Sequence, residues 1–467
     1  MSGFPKTVLD EDGNRHDLIG DPLGRGGQGV VLRTRNAHIA VKLVTGPSGM
    51  PVSAGGEAGH TALRRRLEDV RLLPLTDMHL AQPLALLRDQ VGYTMRLLGD
   101  MVPIRSLIAP PGSSLGAFYR DTGGLRRRLQ LLARTAALLA RLHAIPLVYA
   151  DVSPNNVFVS EGHDANEVWL IDLDNLQYLS DSSAGIFTPG FGAPEVVTGR
   201  AGVTTLSDAY AFAVLAFQVL AQVHPFLGDF VEEAGWDSDE DREQLAYEGK
   251  IPWIEDADDP SNRSAHGIPR ELVIPKPLLA LFQRTFGPGR QRPDARPGLT
   301  EWTDLLRRLA DRLLSCSGCG SSFYVARACP FCESRRGPFI QMEVHRWDPE
   351  FDDDGGSAVS TEPVWRKIID LADNGAVAGL VQRHVIAPVL AVADDEPVLR
   401  IRQVPGGIQV ELLANCEVHV LLRGRLQRLE GRKLLPVPIP GDESLLHFGP
   451  LDRPHRLARL RWHGNGA

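Results

Sequence analysis

Two polar side chains, Asp151 and Asn156, lie five residues apart in the segment Asp-Val-Ser-Pro-Asn-Asn. A carboxylate in such a loop can orient a hydroxyl group and accept its proton, and an asparagine amide oxygen five positions later can help to bind Mg²⁺. Sixteen residues further along, an apolar run ends at Asp172, whose carboxylate can hold Mg²⁺ against phosphate oxygens. The residue types and their order therefore predict phosphoryl transfer.

A glycine-rich segment precedes these residues, and its spacing lets backbone amides approach phosphate oxygens. A dinucleotide-binding fold would begin a helix at the glycines and place an acidic residue ~20 positions later. Here a strand pattern follows instead and leads to Lys42, one of two lysines before Lys250. This order predicts an ATP site formed by Gly24, Arg25, Gly26, Gly27, Gln28, Gly29, Val31, Ala40 and Lys42.

A phosphate-binding lysine of this kind is normally held by a glutamate on the helix that follows it. Glu68 is the predicted partner of Lys42 because apolar residues around it supply the buried face of a helix. Glu57 is closer to Lys42 in the sequence, but it lies in a glycine-rich stretch that is unfavourable inside a helix. A surface position remains the alternative for either glutamate.

Two later segments complete the pattern. Residues 188–195, Thr-Pro-Gly-Phe-Gly-Ala-Pro-Glu, are similar to the end of a kinase activation loop, and residues 207–212 are similar to the start of the buried central helix. With the motifs above, residues 17–314 resemble the protein kinase family, in its bacterial, eukaryotic-like Ser/Thr form. The resemblance implies an α+β, bilobal protein-kinase fold with a small β-rich N-lobe and a large helical C-lobe.

The resemblance also implies roles for individual residues. Asp151, Lys42, Asn156, Asp172, Glu68 and Thr188 would be the catalytic residues, with Asn156 and Asp172 as the Mg²⁺ ligands. Thr188 would contact Asp151, and Asp208 would hold the catalytic loop through its backbone amides. Glu195 would pair with Arg296. The reaction implied is transfer of the γ-phosphoryl group of ATP to a protein hydroxyl.

Three positions depart from the family pattern. Tyr149-Ala150 stands where most kinases have His-Arg, so a phosphorylated activation loop would lack its usual cation. Ser153 replaces a lysine that would stabilise the transferring group. Asp174 replaces a glycine, which resembles small-molecule kinases. Two alternatives therefore stay open: a pseudokinase scaffold that binds ATP and acts through its tail, and a small-molecule kinase.

The elements that must position these residues follow from periodicity. Short strands surround the glycine-rich turn in residues 17–44, and apolar runs at 83–87 and 93–98 predict two more strands. Apolar spacing near 3.6 residues predicts helices at 57–73, 125–143, 205–223, 277–286 and 299–314.

A cysteine cluster follows the kinase-like region. Cys316, Cys319, Cys329 and Cys332 form two CxxC pairs, each of which can bind one tetrahedral metal ion from a tight turn. Residues 315–335 are therefore predicted to be a ribbon with structural Zn²⁺. Disulfides are the alternative, which a cytoplasmic setting disfavours. Some bacterial kinases have zinc-ribbon tails of this kind.

Size and composition bound the remaining predictions. A chain of 467 residues is too long for one core, and residues 336–467 alternate like strands. They predict a β-rich C-terminal domain, such as a small sandwich, with protein interaction as the default role. The net charge of −8 argues against nucleic acid as a partner. The longest apolar run has 15 residues, shorter than a membrane span of ~20, so a cytoplasmic protein is predicted.

Overall fold

The structure is a computed structural model of the 467-residue chain. It describes residues 4–26, 29–55, 58–75, 77–163, 165–181, 187–233, 241–350, 358–371, 377–386, 395–422, 424–436 and 443–464.

The chain divides into two compact units. The first comprises Met1–Leu115, Gln130–Arg270 and Ile274–Thr303, and the second comprises Gly116–Leu129, Glu271–Val273 and Asp304–Ala467. The ribbon and the C-terminal strands thus fall in one unit. The three domains predicted from the sequence stay a prediction.

The α-helices are α1 Ala58–Arg71, α2 Leu115–Asp121, α3 Gly124–Ala144, α4 Pro194–Val197, α5 Thr205–Ala221, α6 Asp229–Glu232, α7 Arg242–Tyr247, α8 Arg270–Val273, α9 Lys276–Phe286, α10 Leu299–Ala310 and α11 Gln382–Val385. Short 3₁₀ helices are Ile104–Leu107, Leu173–Asn175, Leu179–Asp181, Pro260–Asn262, Pro288–Arg290 and Pro293–Ala295.

The strands before residue 200 are β1 Thr7–Leu9, β2 Arg15–Gly26, β3 Gly29–Thr34, β4 Ile39–Val44, β5 Ala85–Leu86, β6 Gly92–Arg96, β7 Met101–Pro103, β8 Leu147–Val148, β9 Val157–Ser160, β10 Val168–Leu170 and β11 Gln177–Tyr178. The later strands are β12 Leu313–Ser315, β13 Ser322–Tyr324, β14 Phe339–Trp347, β15 Trp365–Asp370, β16 Val377–Val381, β17 Pro397–Val404, β18 Gly407–Leu412, β19 His419–Leu422, β20 Arg425–Arg428, β21 Arg432–Pro436, β22 Ser444–Phe448 and β23 His455–His463.

A six-stranded sheet in the order β1-β2-β3-β4-β6-β5 opens the first unit. Successive side chains of a strand point to opposite faces, and the apolar residues of β4 divide accordingly. Val41 and Leu43 pack into one buried cluster, and Ala40 and Val44 pack into the other. Lys42 therefore lies on the Ala40 face, where its ammonium group is buried beside the second cluster.

The larger, helical part of the first unit is built around α5. Its N-terminus has a capping box, in which Thr204 and Ser207 exchange side chain-to-backbone hydrogen bonds. Apart from Gln218, the helix is buried from Ser207 to Ala221, as expected of a helix that is apolar all round. The helix offers a rigid site for the polar residue within this run, Asp208.

Two sheets form the core of the second unit. One has the strand order β15-β14-β23-β22-β19-β20, and the other has the order β16-β17-β18-β21. Buried side chains of both sheets form one apolar cluster, as in a β-sandwich. The β12–β13 hairpin belongs to the ribbon and packs through Leu314 and Phe323 against Phe339 of β14.

The predicted α+β class is confirmed: a strand-rich region is followed by a helical one, then by a cysteine cluster and a strand-rich C-terminal region. The largest difference from a predicted helix boundary is in α10. It ends at Ala310 rather than residue 314, because Leu313–Ser315 pairs with Ser322–Tyr324 as a strand. Within the described part of the chain, no helix combines the length and apolar character needed to cross a membrane.

Candidate active site

The loop before Asp151 is fixed by a buried carboxylate. Asp208 accepts a hydrogen bond from the amide of Tyr149 at 2.8 Å and from the amide of Ala150 at 2.9 Å. Ala150 has a φ of +74°, which a residue with a Cβ adopts only when its surroundings hold it there. His143 of α3 contacts the same carboxylate at 3.1 Å. The predicted role of Asp208 is confirmed.

Both carboxylate oxygens of Asp151 are held in place. Oδ1 accepts hydrogen bonds from the Thr188 amide at 3.0 Å and the Thr188 hydroxyl at 2.7 Å. Oδ2 accepts one from Nδ2 of Asn156 at 2.8 Å. The structure thus brings Thr188, Asp151 and Asn156 together, and it leaves the amide oxygen of Asn156 as the atom available to a cation.

The loop with Asp151 and the strand before Asp172 are joined. The Ile171 amide donates to the Asn156 carbonyl at 3.0 Å, and the buried Tyr149 hydroxyl donates to the Ile171 carbonyl. Burial and the nearby carboxylates raise the pKa of Tyr149 well above its usual range, so the phenol stays a donor. Tyr149 therefore ties the two segments that carry the predicted Mg²⁺ ligands.

Lys42 binds two carboxylates. Its Nζ lies 2.5 Å from Oδ1 of Asp172 and 2.7 Å from Oδ2 of Asp174. Burial alone would lower the pKa of Lys42, but the charges of Asp174 and Asp172 outweigh it and raise the pKa above its usual value. Burial raises the pKa of Asp172 by more than the charge of Lys42 lowers it, so the pKa lies above its usual value.

The predicted partner of Lys42 is corrected by the structure. Glu68 lies on α1, as expected, but its carboxylate is 3.4 Å from Arg64 one turn earlier, and its side chain is 45% exposed. Lys42 instead pairs with the carboxylates of Asp172 and Asp174. Glu57, the alternative, lies outside the described residues.

The described residues of the predicted glycine-rich loop lie at the paired ends of β2 and β3. Gly24 pairs with Val31 and Gly26 pairs with Gly29, while Gly27 and Gln28 lie outside the described residues. A Cβ at Gly29 would be 2.4 Å from the Leu43 carbonyl oxygen, so this position accepts only glycine. Arg25 and Val31 are on the flanking strands, and Ala40 faces the same side of the sheet as Lys42.

The predicted pair of Glu195 and Arg296 is present. Two guanidinium nitrogens of Arg296 each lie 2.7 Å from a different carboxylate oxygen of Glu195. The Arg296 side chain is fully buried, and it also donates to the Gly289 and Leu206 carbonyls. This bidentate geometry fixes the end of the activation segment to the helical core.

Removal of this buried cation is expected to be costly. Arg296→Ala should lower the free energy of unfolding by about 3–5 kcal/mol, because it leaves the Glu195 carboxylate buried without its partner. Arg284→Ala is the matched control, since Arg284 and Glu301 are both about half exposed and such pairs contribute up to ~1 kcal/mol. Chemical denaturation measures both, and equal losses in the two variants would contradict the expected role.

A buried histidine supports the activation segment from the other side. Nε2 of His224 lies 3.0 Å from the Gly190 carbonyl, and Nδ1 accepts from the Phe226 amide at 3.2 Å. These partners define a neutral ring with its proton on Nε2. Burial lowers the pKa of His224 from 6.5 to about 4.

The buried neutral ring of His224 makes the free energy of unfolding depend on pH. The unfolded imidazole binds a proton near pH 6.5 and the folded one only near pH 4, so stability is lost as pH falls between these values, by up to roughly 3 kcal/mol. Across this pH range, the free energy of unfolding should change less with pH in His224→Gln than in the wild-type chain. The exposed His266 supplies the control variant, His266→Gln, which should keep the wild-type profile.

The four predicted cysteines form one cluster in the second unit. Their Sγ atoms lie within 4.8 Å of one another, with 3.5 Å between Cys316 and Cys332 and 3.7 Å between Cys319 and Cys329. A tetrahedral ion with 2.3 Å bonds to sulfur would need separations of about 3.8 Å. The arrangement therefore fits one metal ion.

The two CxxC turns have the same backbone design. The amides of Cys316 and Cys329 each donate to a carbonyl five residues later, and each cysteine carbonyl accepts from the amide four residues later. Gly320 and Glu333, which supply those last amides, have φ values of +72° and +61°. The repetition presents all four sulfurs to one point.

A central part of the chain matches a known family. The family described as "Protein kinase domain" matches residues 124–301. The chain contains a protein kinase domain. The match covers the Asp208, Asp151 and Asp172 segments and ends just after Arg296.

The kinase domain has relatives among bacterial Ser/Thr kinases. Serine/threonine-protein kinase PkaA of Streptomyces coelicolor is 25% identical over 63% of this chain and 50% of its own. Pkn2 of Myxococcus xanthus is 34% identical over 22% of this chain and 13% of its own. PknD of Mycobacterium tuberculosis is 26% identical over 45% and 30%. The predicted family resemblance is confirmed, and the chain spans half or less of each of these relatives.

The chain is also similar to a solved structure. The kinase domain of a Toxoplasma gondii specific rhoptry antigen is 17% identical, with a TM-score of 0.43, and the alignment covers 66% of this chain and 87% of that one.

One contact of this kinase domain was missed by sequence reasoning. The hydroxyl of Tyr93 donates to Oδ1 of Asp174 at 2.8 Å, and both side chains are buried. Asp174 is the residue that replaces the family glycine. One feature of the sequence points to this contact, since Tyr93 and Lys42 both lie in segments predicted to be strands near the site.

Proposed function

We propose that the chain is an ATP- and Mg²⁺-dependent Ser/Thr protein kinase with an atypical catalytic loop. The observation that carries this proposal is the convergence of Lys42, Asp151, Asn156 and Asp172 from separate segments of the first unit. Each is positioned by hydrogen bonds to backbone or side-chain groups. ATP and a protein with an exposed serine or threonine are the proposed substrates.

Each residue has a role that follows from its chemistry. Asp151 orients the acceptor hydroxyl and takes its proton as the oxygen attacks the γ-phosphorus and the bond to ADP breaks. Lys42 neutralises phosphate charge, and the Gly24–Gly29 turn covers the phosphates with its amides. Thr188 holds the Asp151 carboxylate.

The donor set fits Mg²⁺. The Asn156 amide oxygen and the Asp172 carboxylate are hard oxygen ligands of the kind that this ion prefers, and the Ile171–Asn156 hydrogen bond keeps their segments together. When bound, Mg²⁺ would offset the charge of the phosphates.

We also propose that the four cysteines bind structural Zn²⁺. Four thiolates complete a tetrahedral shell and leave no open position for catalysis. The C-terminal sheets are proposed to bind a protein partner, with no role for nucleic acid or a membrane, in a cytoplasmic protein.

Transfer from labelled ATP tests the proposal. Purified chain is incubated with γ-labelled ATP, Mg²⁺ and a generic protein substrate, beside Lys42→Met and Asp172→Asn. Label on protein that is lost in both variants supports the protein kinase. Nucleotide binding without transfer supports the pseudokinase, and label that enters only small molecules supports the small-molecule kinase.

A further inference from the structure

The glutamate of helix α1 that was predicted to pair with Lys42 has a different partner. This residue, Glu68, pairs with Arg64 and is half exposed. The helix therefore pairs its glutamate with its own arginine, while Lys42 pairs with Asp172 and Asp174.

The anion beside Lys42 comes from a different segment. Asp174 lies in the 3₁₀ turn Leu173–Asn175, which directly follows Asp172. The turn is closed by the Leu176 amide, which donates to the Leu173 carbonyl at 2.9 Å, and it packs close to α1. A fixed backbone thus delivers the second carboxylate to the lysine.

Both carboxylate oxygens of Asp174 accept a hydrogen bond. Oδ2 accepts from Lys42 at 2.7 Å and Oδ1 accepts from Tyr93 at 2.8 Å. Lys42 and Tyr93 are directly paired residues of neighbouring strands, so the sheet itself sets the spacing of the two donors. The pKa of Tyr93 is raised well above its usual range by burial and then by Asp174, which keeps the phenol a donor.

The two carboxylates on Lys42 differ in accessibility. The Asp172 side chain is 25% exposed, whereas that of Asp174 is 4% exposed. The exposed carboxylate can turn toward a nucleotide-bound cation, and the buried one is restrained by Tyr93. A lysine that keeps one permanent counter-ion stays oriented and protonated while the other partner changes.

We propose that Asp174, and not Glu68, is the counter-ion that positions Lys42 for the phosphates of ATP. The inference rests on the proposed function, because it names the residue that aligns its phosphate-binding lysine. Asp174 is a positioning residue that acts through Lys42. Tyr93 completes the device by fixing the Asp174 carboxylate.

The test compares Asp174→Asn with Glu68→Gln, each of which removes one charge with little change of shape. Asp174→Asn should lower kcat/KM for ATP by about 100-fold through misplacement of Lys42. Binding of a fluorescent ATP analogue with Mg²⁺ should weaken by about tenfold, as for one lost charge-assisted hydrogen bond. Glu68→Gln should stay within about twofold of wild type, since Glu68 contributes a surface pair.

The split between the KM values for the two substrates separates positioning from a merely structural role. Asp174 contacts Lys42 and Tyr93, whereas Asp151 is held by Thr188 and Asn156. Asp174→Asn should therefore raise the KM for ATP and leave the KM for the protein substrate within about twofold of wild type. An unchanged KM for ATP in a folded Asp174→Asn variant would overturn the inference, as would a large loss in Glu68→Gln with none in Asp174→Asn.

The failure of the inference can be told from that of the proposed function. If the wild-type chain transfers no phosphate, the proposed function fails, and the nucleotide-binding measurements still decide between Asp174 and Glu68. If Asp174→Asn does not fold, Tyr93→Phe serves instead, and it should weaken nucleotide binding while Glu68→Gln does not. A wild-type chain that binds no Mg²⁺-ATP overturns both.

Discussion

Replacement of Asp151 by asparagine is expected to lower kcat by about 10²–10⁴-fold, the usual contribution of a general base. Asparagine has nearly the shape of aspartate and can still accept from Thr188, so the fold of the loop should persist. It cannot take the proton of the acceptor hydroxyl. The KM for ATP should change less than kcat, because Lys42, the proposed phosphate-binding residue, pairs with Asp172 and Asp174 rather than with Asp151.

Steady-state phosphorylation of a protein substrate measures this effect, with the unfolding midpoint as the check on structure. Asp121→Asn is the matched control, since the Asp121 side chain is 65% exposed and pairs with its neighbour Arg120. A kcat within a few fold of wild type in Asp151→Asn would remove Asp151 from the proposed mechanism.

Loss of the proposed zinc from the cysteine cluster is expected to unfold the ribbon. Structural zinc contributes apparent free energies of ~10–16 kcal/mol in zinc-finger peptides, and the short β12–β13 hairpin has only a small apolar cluster of its own. Purified chain should contain one zinc per molecule by elemental analysis. A strong chelator, or Cys319→Ser with Cys329→Ser, should release it and open residues 313–335 to proteases.

The fifth cysteine provides the control for this experiment. Cys416 packs beside the apolar cluster of the C-terminal sheets and is not among the four clustered sulfurs, so Cys416→Ser should retain the zinc. A chain that resists proteolysis equally with and without metal would show that the ribbon is held by its packing alone.

The motifs of the catalytic loop could be predicted because they are local. The Asp151–Asn156 spacing and the backbone role of Asp208 depend on a short segment and one long-range contact. The pairing of Glu195 with Arg296 spans 101 residues, and it was predicted only because both residues lie in segments that resemble the protein kinase family.

The partner of Lys42 could not be predicted in the same way. Periodicity places Glu68 on a helix but does not set how that helix is rotated about its axis. Asp174 could be seen as a departure, but its contact depends on a 3₁₀ turn whose direction is set by the left-handed φ of +57° at Asp172. The end of α10 was missed for a related reason, because the strand that stops it forms only through pairing with Ser322–Tyr324.

The hydrogen bond from the Thr188 hydroxyl to Asp151 has a consequence for substrate competition. In a site that acts as proposed, one oxygen of the carboxylate that receives the acceptor hydroxyl is already bound to a hydroxyl of the chain itself. The resting site therefore contains a surrogate of its own substrate, present at the high effective concentration of a tethered group. A water molecule must compete with this internal hydroxyl before it can attack ATP, whereas a docked polypeptide brings its hydroxyl with comparable advantage.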